Sequence, residues 1–156
     1  MKADDYSNPR VDRGDYRRYL AAVTLFHQAA ADAVGLSGTD YQASNLLDLD
    51  GPMTSGDLAG RLGLSTGATT RLVDRLIAIG VAIRTEDPAD RRRNLIAHSG
   101  HLPAALDGVL RRVRLPIQDA LAELTADQRN GVSAYLTAAT QAYTVAARTL
   151  RTPGNS

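Results

Sequence analysis

The chain has 156 residues, enough for one domain or for one subunit of a small oligomer. Apolar residues make up 44% and charged residues 22%, which argues against general disorder, and the absence of Cys excludes disulfides, thiolate metal sites, cysteine nucleophiles and thiol redox sensing. The 18 basic and 17 acidic residues leave a net charge of +1, so the total alone points to no polyanionic partner.

Residues 1–10 are polar, contain Pro9 and read as a flexible arm. From about Val11 to Ala33, apolar residues recur at Tyr16, Tyr19, Leu20, Val23, Phe26 and Ala30, the spacing of a helix. Gly35, Ser37 and Gly38 end it. Thr39 or Asp40 is placed to cap a second helix through Leu46, Leu47 and Leu49, which stops at Gly51-Pro52. Thr54 or Ser55 caps a third over residues 55–62. Gly63-Leu64-Ser65 is a tight turn. Ser65 caps a fourth helix from Thr66 to about Ile79, and Gly80 closes it.

Val81 to Thr85 and Asn94 to His98 read as two strands around a charged tip, a hairpin with a long loop. Ser99 is then placed to cap a helix from about Gly100 to Leu124, with Pro103 in its first turn. Pro116 inside the pattern predicts a kink or a break. Thr125 caps the last helix. There Val132, Leu136, Ala139, Tyr143, Ala146 and Leu150 are spaced 4, 3, 4, 3 and 4, a heptad-like seam for a core or a dimer interface. Residues 152–156 read as a flexible tail.

No apolar run approaches the ~18 residues of a membrane span. The start, Met1-Lys-Ala-Asp-Asp-Tyr6, lacks the apolar stretch of a secretory signal, so the expected location is cytoplasmic and no membrane partner is expected.

Helix, three-residue turn, helix and hairpin is the order of a winged helix-turn-helix. A helix entering the major groove needs small or hydrogen-bonding residues near its N-terminus so that the backbone approaches base edges. Thr66-Gly-Ala-Thr-Thr-Arg71 meets that need, and Ala68, Leu72, Val73, Leu76 and Ile77 form the opposite, packing stripe. The candidate DNA-binding set on this element is Ser65, Thr66, Gly67, Thr69, Thr70, Arg71 and Arg75. Arg71 is suited to a guanine edge, Thr70 to a thymine methyl or a phosphate, and Ser65, Thr66 and Arg75 to phosphates. At the hairpin tip, Arg91, Arg92 and Arg93 can reach a narrow minor groove, and Asp90 is expected to hold one of them by a bidentate pair.

These residues carry a family resemblance. The run Leu64-Ser65 … Thr70-Arg-Leu-Val-Asp-Arg-Leu76, followed by the wing Asp87-Pro-Ala-Asp-Arg-Arg-Arg93, resembles the MarR (multiple antibiotic resistance regulator) family. The resemblance implies a mainly α fold, a winged helix-turn-helix with long N- and C-terminal dimerisation helices. It implies dimerisation helices over 11–35 and 101–151 around a DNA-binding domain over 36–100. It further implies a homodimer on a pseudo-palindromic operator in double-stranded DNA, with Thr70 and Arg71 in the major groove and Arg92 in the minor groove. Asp90 and Arg92 match the family's wing Asp-x-Arg. Family members often hold a small effector between the two regions, and Tyr16, Tyr19, Phe26 and Tyr41 are candidates to line a pocket for an aromatic one. Ordinary helix packing also accounts for their spacing.

Two features depart from the pattern. His98-Ser-Gly-His101 stands where the family has Leu-Thr, an acidic residue and Gly. Gly56 and Gly60 lower the propensity of the supporting helix by roughly 1 kcal/mol each relative to Ala. His98 and His101 are spaced for two metal ligands, but further ligands are missing, and neither a metal nor another cofactor is expected. No nucleophile elbow, phosphate loop or HExxH pattern is present, so the chain reads as a regulator and not an enzyme. The alternative is a winged helix used for protein contacts, since fold does not fix function. Charge distribution favours the first reading. Asp40, Asp48 and Asp50 lie in a stretch without basic residues, whereas Arg71, Arg91, Arg92 and Arg93 concentrate on the fourth helix and the wing tip.

Overall fold

The computed structural model describes residues 12–151, so the arm over 1–10 and the tail over 152–156 lie outside the described residues. Among the described residues, six helices and one hairpin follow in the order α1 (Arg13–Asp32), α2 (Gly38–Asp50), α3 (Ser55–Leu62), α4 (Thr66–Ala78), β1 (Ala82–Glu86), β2 (Asn94–His98), α5 (Ala104–Ala122) and α6 (Ala126–Arg151).

Short polar side chains start most of these helices. Asp12 accepts the Gly14 N–H at the start of α1. Ser37 begins α2: its hydroxyl accepts the Asp40 N–H at 3.1 Å and the Asp40 carboxylate accepts the Ser37 N–H at 3.0 Å. The cap is therefore Ser37, not Thr39 or Asp40. Asp40 is the reciprocal third residue of the box. Thr54 and Ser65 cap α3 and α4 as expected. Gly63, at φ +70°, supplies the left-handed turn between them.

The hairpin pairs Ala82 with His98 through Glu86 with Asn94. Met53 adds a one-residue bridge on the other side of β2. Its N–H donates to Ile96 C=O at 3.0 Å, and it accepts the Ile96 N–H at 2.8 Å. The core beneath is aliphatic: Leu47, Leu58, Leu72, Val73, Leu76, Val81, Ile96 and Leu106 are buried. Of the expected packing stripe on α4, Leu72, Val73 and Leu76 are the buried members, with Ala68 and Ile77 half-buried at its edges.

Two expectations about α5 fail. Ser99 does not cap it. The Ser99 hydroxyl donates to Gly80 C=O at 2.5 Å and accepts the His101 N–H at 3.1 Å. Gly100 then takes φ +78°, which breaks helical continuity, and the helix begins only after Pro103. Nor does Pro116 divide the helix: of the kink or break expected there, the break is absent, and Pro116 sits at an exposed position within continuous α5. Thr125 and Gln128 form a capping box before α6.

No residue of α6 is buried by its own chain. Val132, Leu136, Tyr143 and Leu150 of the heptad-like seam are all exposed, as are Leu115 and Ile117 of α5. Among the described residues, no helix is long and apolar enough to cross a membrane.

Candidate nucleic-acid interface

The first turn of α4 is the centre of the site. The Ser65 hydroxyl accepts the Ala68 N–H at 3.3 Å, and the first backbone bond of the helix runs from Thr69 N–H to Ser65 C=O at 2.9 Å. The N–H groups of Thr66 and Gly67 precede that bond and lie at the positive end of the helix dipole. Thr66, Gly67, Thr70 and Arg71 are all exposed. The Arg71 guanidinium lies alongside Gly67, where a Cβ would meet it at an ordinary contact distance of 3.8 Å. The Thr70 hydroxyl donates to Thr66 C=O at 3.0 Å, leaving its lone pair and methyl group for a partner.

Thr69 does not belong to this surface. It is 1% exposed, and its hydroxyl donates to Ser65 C=O at 3.0 Å. A fourth-position threonine on the packing side fixes the cap rather than meeting a ligand.

Arg75 is also engaged within the fold. Its Nε and terminal nitrogen donate to the two oxygens of Asp40 at 3.2 and 2.6 Å. Asp40 is buried, while half of the Arg75 side chain is exposed. Burial pushes the Asp40 carboxyl up. The hydrogen bonds from Arg75 and from the Ser37 N–H and hydroxyl, with the Arg75 charge, outweigh it and hold the group below the usual carboxylate range. The same hydrogen bond raises Arg75.

The wing tip is a loop built by its two acids. Asp87 accepts the Ala89 N–H at 2.8 Å and lies 3.7 Å from the Arg93 Nε. Asp90 accepts the backbone N–H of Arg92 at 3.0 Å. The expected bidentate pair from Asp90 to an arginine side chain is absent among the described contacts. Asp90 shapes the backbone, because a short carboxylate beside a turn reaches the amide two residues on more easily than a long side chain. Arg91 and Arg92 are exposed. Arg84 of β1 pairs with Asp74 of α4 at 2.7 Å and ties wing to recognition helix.

The aromatic candidates fall in two places. Tyr16 and Tyr19 line a hollow of about 480 Å³ with Val132 and Tyr135, and the Tyr16 hydroxyl meets that of Tyr143 at 2.5 Å. Phe26 and Tyr41 instead flank His27, with ring centres 5.6 and 5.1 Å from it. Tyr41 is buried, and burial lowers the His27 pKa. A larger cavity of about 670 Å³ lies between α3 and the end of α6, with Gly56 and Gly60 in its wall. The sequence carried a signal for it: two glycines four apart put one bare face on a short helix.

The other two histidines, His98 and His101, lie where the chain leaves the wing. The His98 Nδ1 accepts the Gly100 N–H at 3.0 Å and lies 3.9 Å from Asp48. His101 packs near Gly80. Among the described residues, no group of three or more His, Asp or Glu side chains is placed to hold a metal ion.

Comparison with known proteins agrees with this geometry. Residues 34–93 match the model of the MarR family. The HTH-type transcriptional regulator YcgE of Bacillus subtilis is 49% identical over 81 residues, 52% of this chain and 53% of that protein. The match thus spans about half the length of that relative. Among solved structures, RV1404 from Mycobacterium tuberculosis is 27% identical with a TM-score of 0.50, covering 81% of this chain and 90% of that one. A MarR-like transcriptional regulator from Thermotoga maritima has a TM-score of 0.57 at 18% identity, over 85% of this chain and 96% of that one. A variant of S. aureus MepR bound to an oligodeoxyribonucleotide has a TM-score of 0.52 at 16% identity, over 82% of this chain and 94% of that one. The last two show the shared winged-helix fold alone. The capped α3–turn–α4 unit and the wing that follows, within residues 34–93, are thus the part of this chain that is similar to the MarR family.

Proposed function

We propose that the chain is a sequence-specific DNA-binding transcriptional regulator, acting as a homodimer on a pseudo-palindromic operator and serving as a repressor released by a small aromatic effector. The observation that carries this reading is the exposed set Thr66, Gly67, Thr70 and Arg71 at a helix N-terminus, beside a wing whose acids leave Arg91 and Arg92 exposed. Small residues let the helix backbone approach base edges, and a wing arginine suits the negative potential of a narrow minor groove. No catalytic step belongs to this role.

The homodimer reading is supported by α6, in whose seam Val132, Leu136, Tyr143 and Leu150 stay exposed in the single chain. An apolar stripe of that length in water favours association with a second copy. The effector reading is supported by the apolar hollow around Tyr16, Tyr19 and Tyr135.

Selection of bound sequences from a random duplex pool tests the proposal. Enrichment of a pseudo-palindrome with half-sites about one helical turn apart is the expected result. Recovery of no motif would overturn DNA reading and leave a protein-contact role.

A further inference from the structure

The last described residue of α6 reaches back to the helix-turn-helix. Arg151 donates from one guanidinium nitrogen to Arg61 C=O, and the same nitrogen lies 3.5 Å from Gly60 C=O. Both carbonyls belong to the final turn of α3, where helix geometry leaves C=O groups without intrahelical partners and gathers negative dipole charge. A guanidinium is a strong partner for such carbonyls, being planar, cationic and rich in donors.

The contact also involves the turn itself. A Cβ built on Gly63 would lie 3.2 Å from the Arg151 Nε and 3.5 Å from its central carbon. Gly63 is thus favoured by its φ of +70°, and a Cβ there would also crowd the Arg151 side chain. Immediately after it, the Leu64 N–H donates to Ala59 C=O at 3.0 Å and Ser65 caps α4. One side chain from α6 therefore touches the end of the supporting helix and the turn that sets the start of the recognition helix. Arg61 is held from its other side by an ion pair with Asp50 of α2.

We propose that Arg151 is a positioning residue for DNA reading: it caps α3 from α6, fixes the Gly63–Ser65 turn, and so transmits the placement of the C-terminal helix to the first turn of α4. The DNA arm of this proposal rests on the operator-binding reading above; the conformational arm does not.

The test uses the full chain and its Arg151→Ala and Arg151→Lys variants. Amide hydrogen exchange in the free protein is read first. Arg151→Ala should speed exchange at Gly63 and Leu64 on the order of fivefold, the loss expected when a charged cap is removed, while amides of β1 and β2 keep their rates. Unchanged exchange in the turn would overturn the proposal whatever happens with DNA. Affinity for the duplex selected above is read second, across a salt series. A positioning residue lowers affinity on the order of tenfold with the salt slope unchanged. A phosphate contact would instead flatten the slope by ~0.9 and be restored by Arg151→Lys, and that result would also overturn the proposal. Arg151→Lys keeps the charge but not the planar fork, so exchange in the turn should remain fast. If the parent chain selects no duplex, operator binding fails, and the exchange result alone still decides the role of Arg151.

Discussion

Arg75 of the recognition helix is bound through two nitrogens to Asp40, a buried carboxylate in the first turn of α2. The pair joins the element that would read DNA to the cap of α2, a helix that packs directly against it. Its two members are unequal. Loss of Arg75 strands a buried charge, whereas loss of Asp40 releases a half-exposed arginine into water. Arg75→Met should therefore cost more, about 2 kcal/mol, than Asp40→Asn, about 1 kcal/mol, in urea unfolding at neutral pH. Equal losses would contradict the burial asymmetry.

The same pair fixes a pH dependence. The folded pKa of Asp40 lies below its unfolded value, so its contribution is fully present above the unfolded pKa and disappears as pH falls through the folded one. The stability gap between the parent chain and Asp40→Asn should stay constant from pH 7 to 5 and close below about pH 4. Unfolding curves at several pH values measure this gap. A gap that widens in acid would show the opposite sign.

Arg92→Ala should weaken operator binding by about 1–2 kcal/mol and leave the circular dichroism spectrum and unfolding midpoint unchanged. Asp90→Ala should weaken binding too, but through the loop, with the salt slope of the parent. Gel-shift titrations at physiological salt decide the first point. Unaltered affinity of Arg92→Ala would remove the wing from the interface.

Adjacent threonines should behave differently. Thr69→Val loses a buried hydroxyl bond, so stability should fall by about 1 kcal/mol without altered base preference. Thr70→Val keeps the methyl and loses an exposed hydroxyl, so stability should barely move while the selected operator changes at one position. Parallel duplex selections with the two variants compare them.

The α6 seam makes a separate prediction. Leu136→Asp places a charge on a face that its own chain leaves open. Sedimentation should show a dimer becoming a monomer. Persistence of the dimer would place the interface elsewhere.

The helix-turn-helix was legible in the sequence because its punctuation is local. Thr54, Gly63, Ser65 and Gly80 each act within four residues of their own position, and each took the expected role. Where a polar side chain serves a distant partner, sequence spacing misleads. Ser99 has the identity of a cap, yet its hydroxyl is drawn to Gly80, nineteen residues away. Arg75 lies on the polar side of its helix, yet a carboxylate thirty-five residues earlier takes its donors. Asp90 illustrates a third case: its role is local, but a turn amide outcompetes the arginine side chains beside it. The start of α2 was displaced because Ser37, Thr39 and Asp40 are all competent caps, and only the reciprocal bond of Asp40 selects Ser37.

The bridge between Met53 and Ile96 has a mechanical meaning. Met53 sits in the segment that enters α3, and Ile96 is at the centre of the second wing strand, so two backbone bonds lock the wing to the base of the helix-turn-helix. The Arg84–Asp74 pair adds a second attachment on the α4 side. Both attachments favour motion of the wing together with α4, the exposed ion pair adding less than about 1 kcal/mol. In a pair of such subunits, a signal would then change how far apart the two reading heads stand and how they are tilted more readily than the angle between helix and wing within a head. Regulation of this chain would be a matter of spacing between two rigid bodies, and operators with one or two base pairs inserted at their centre should report on it directly.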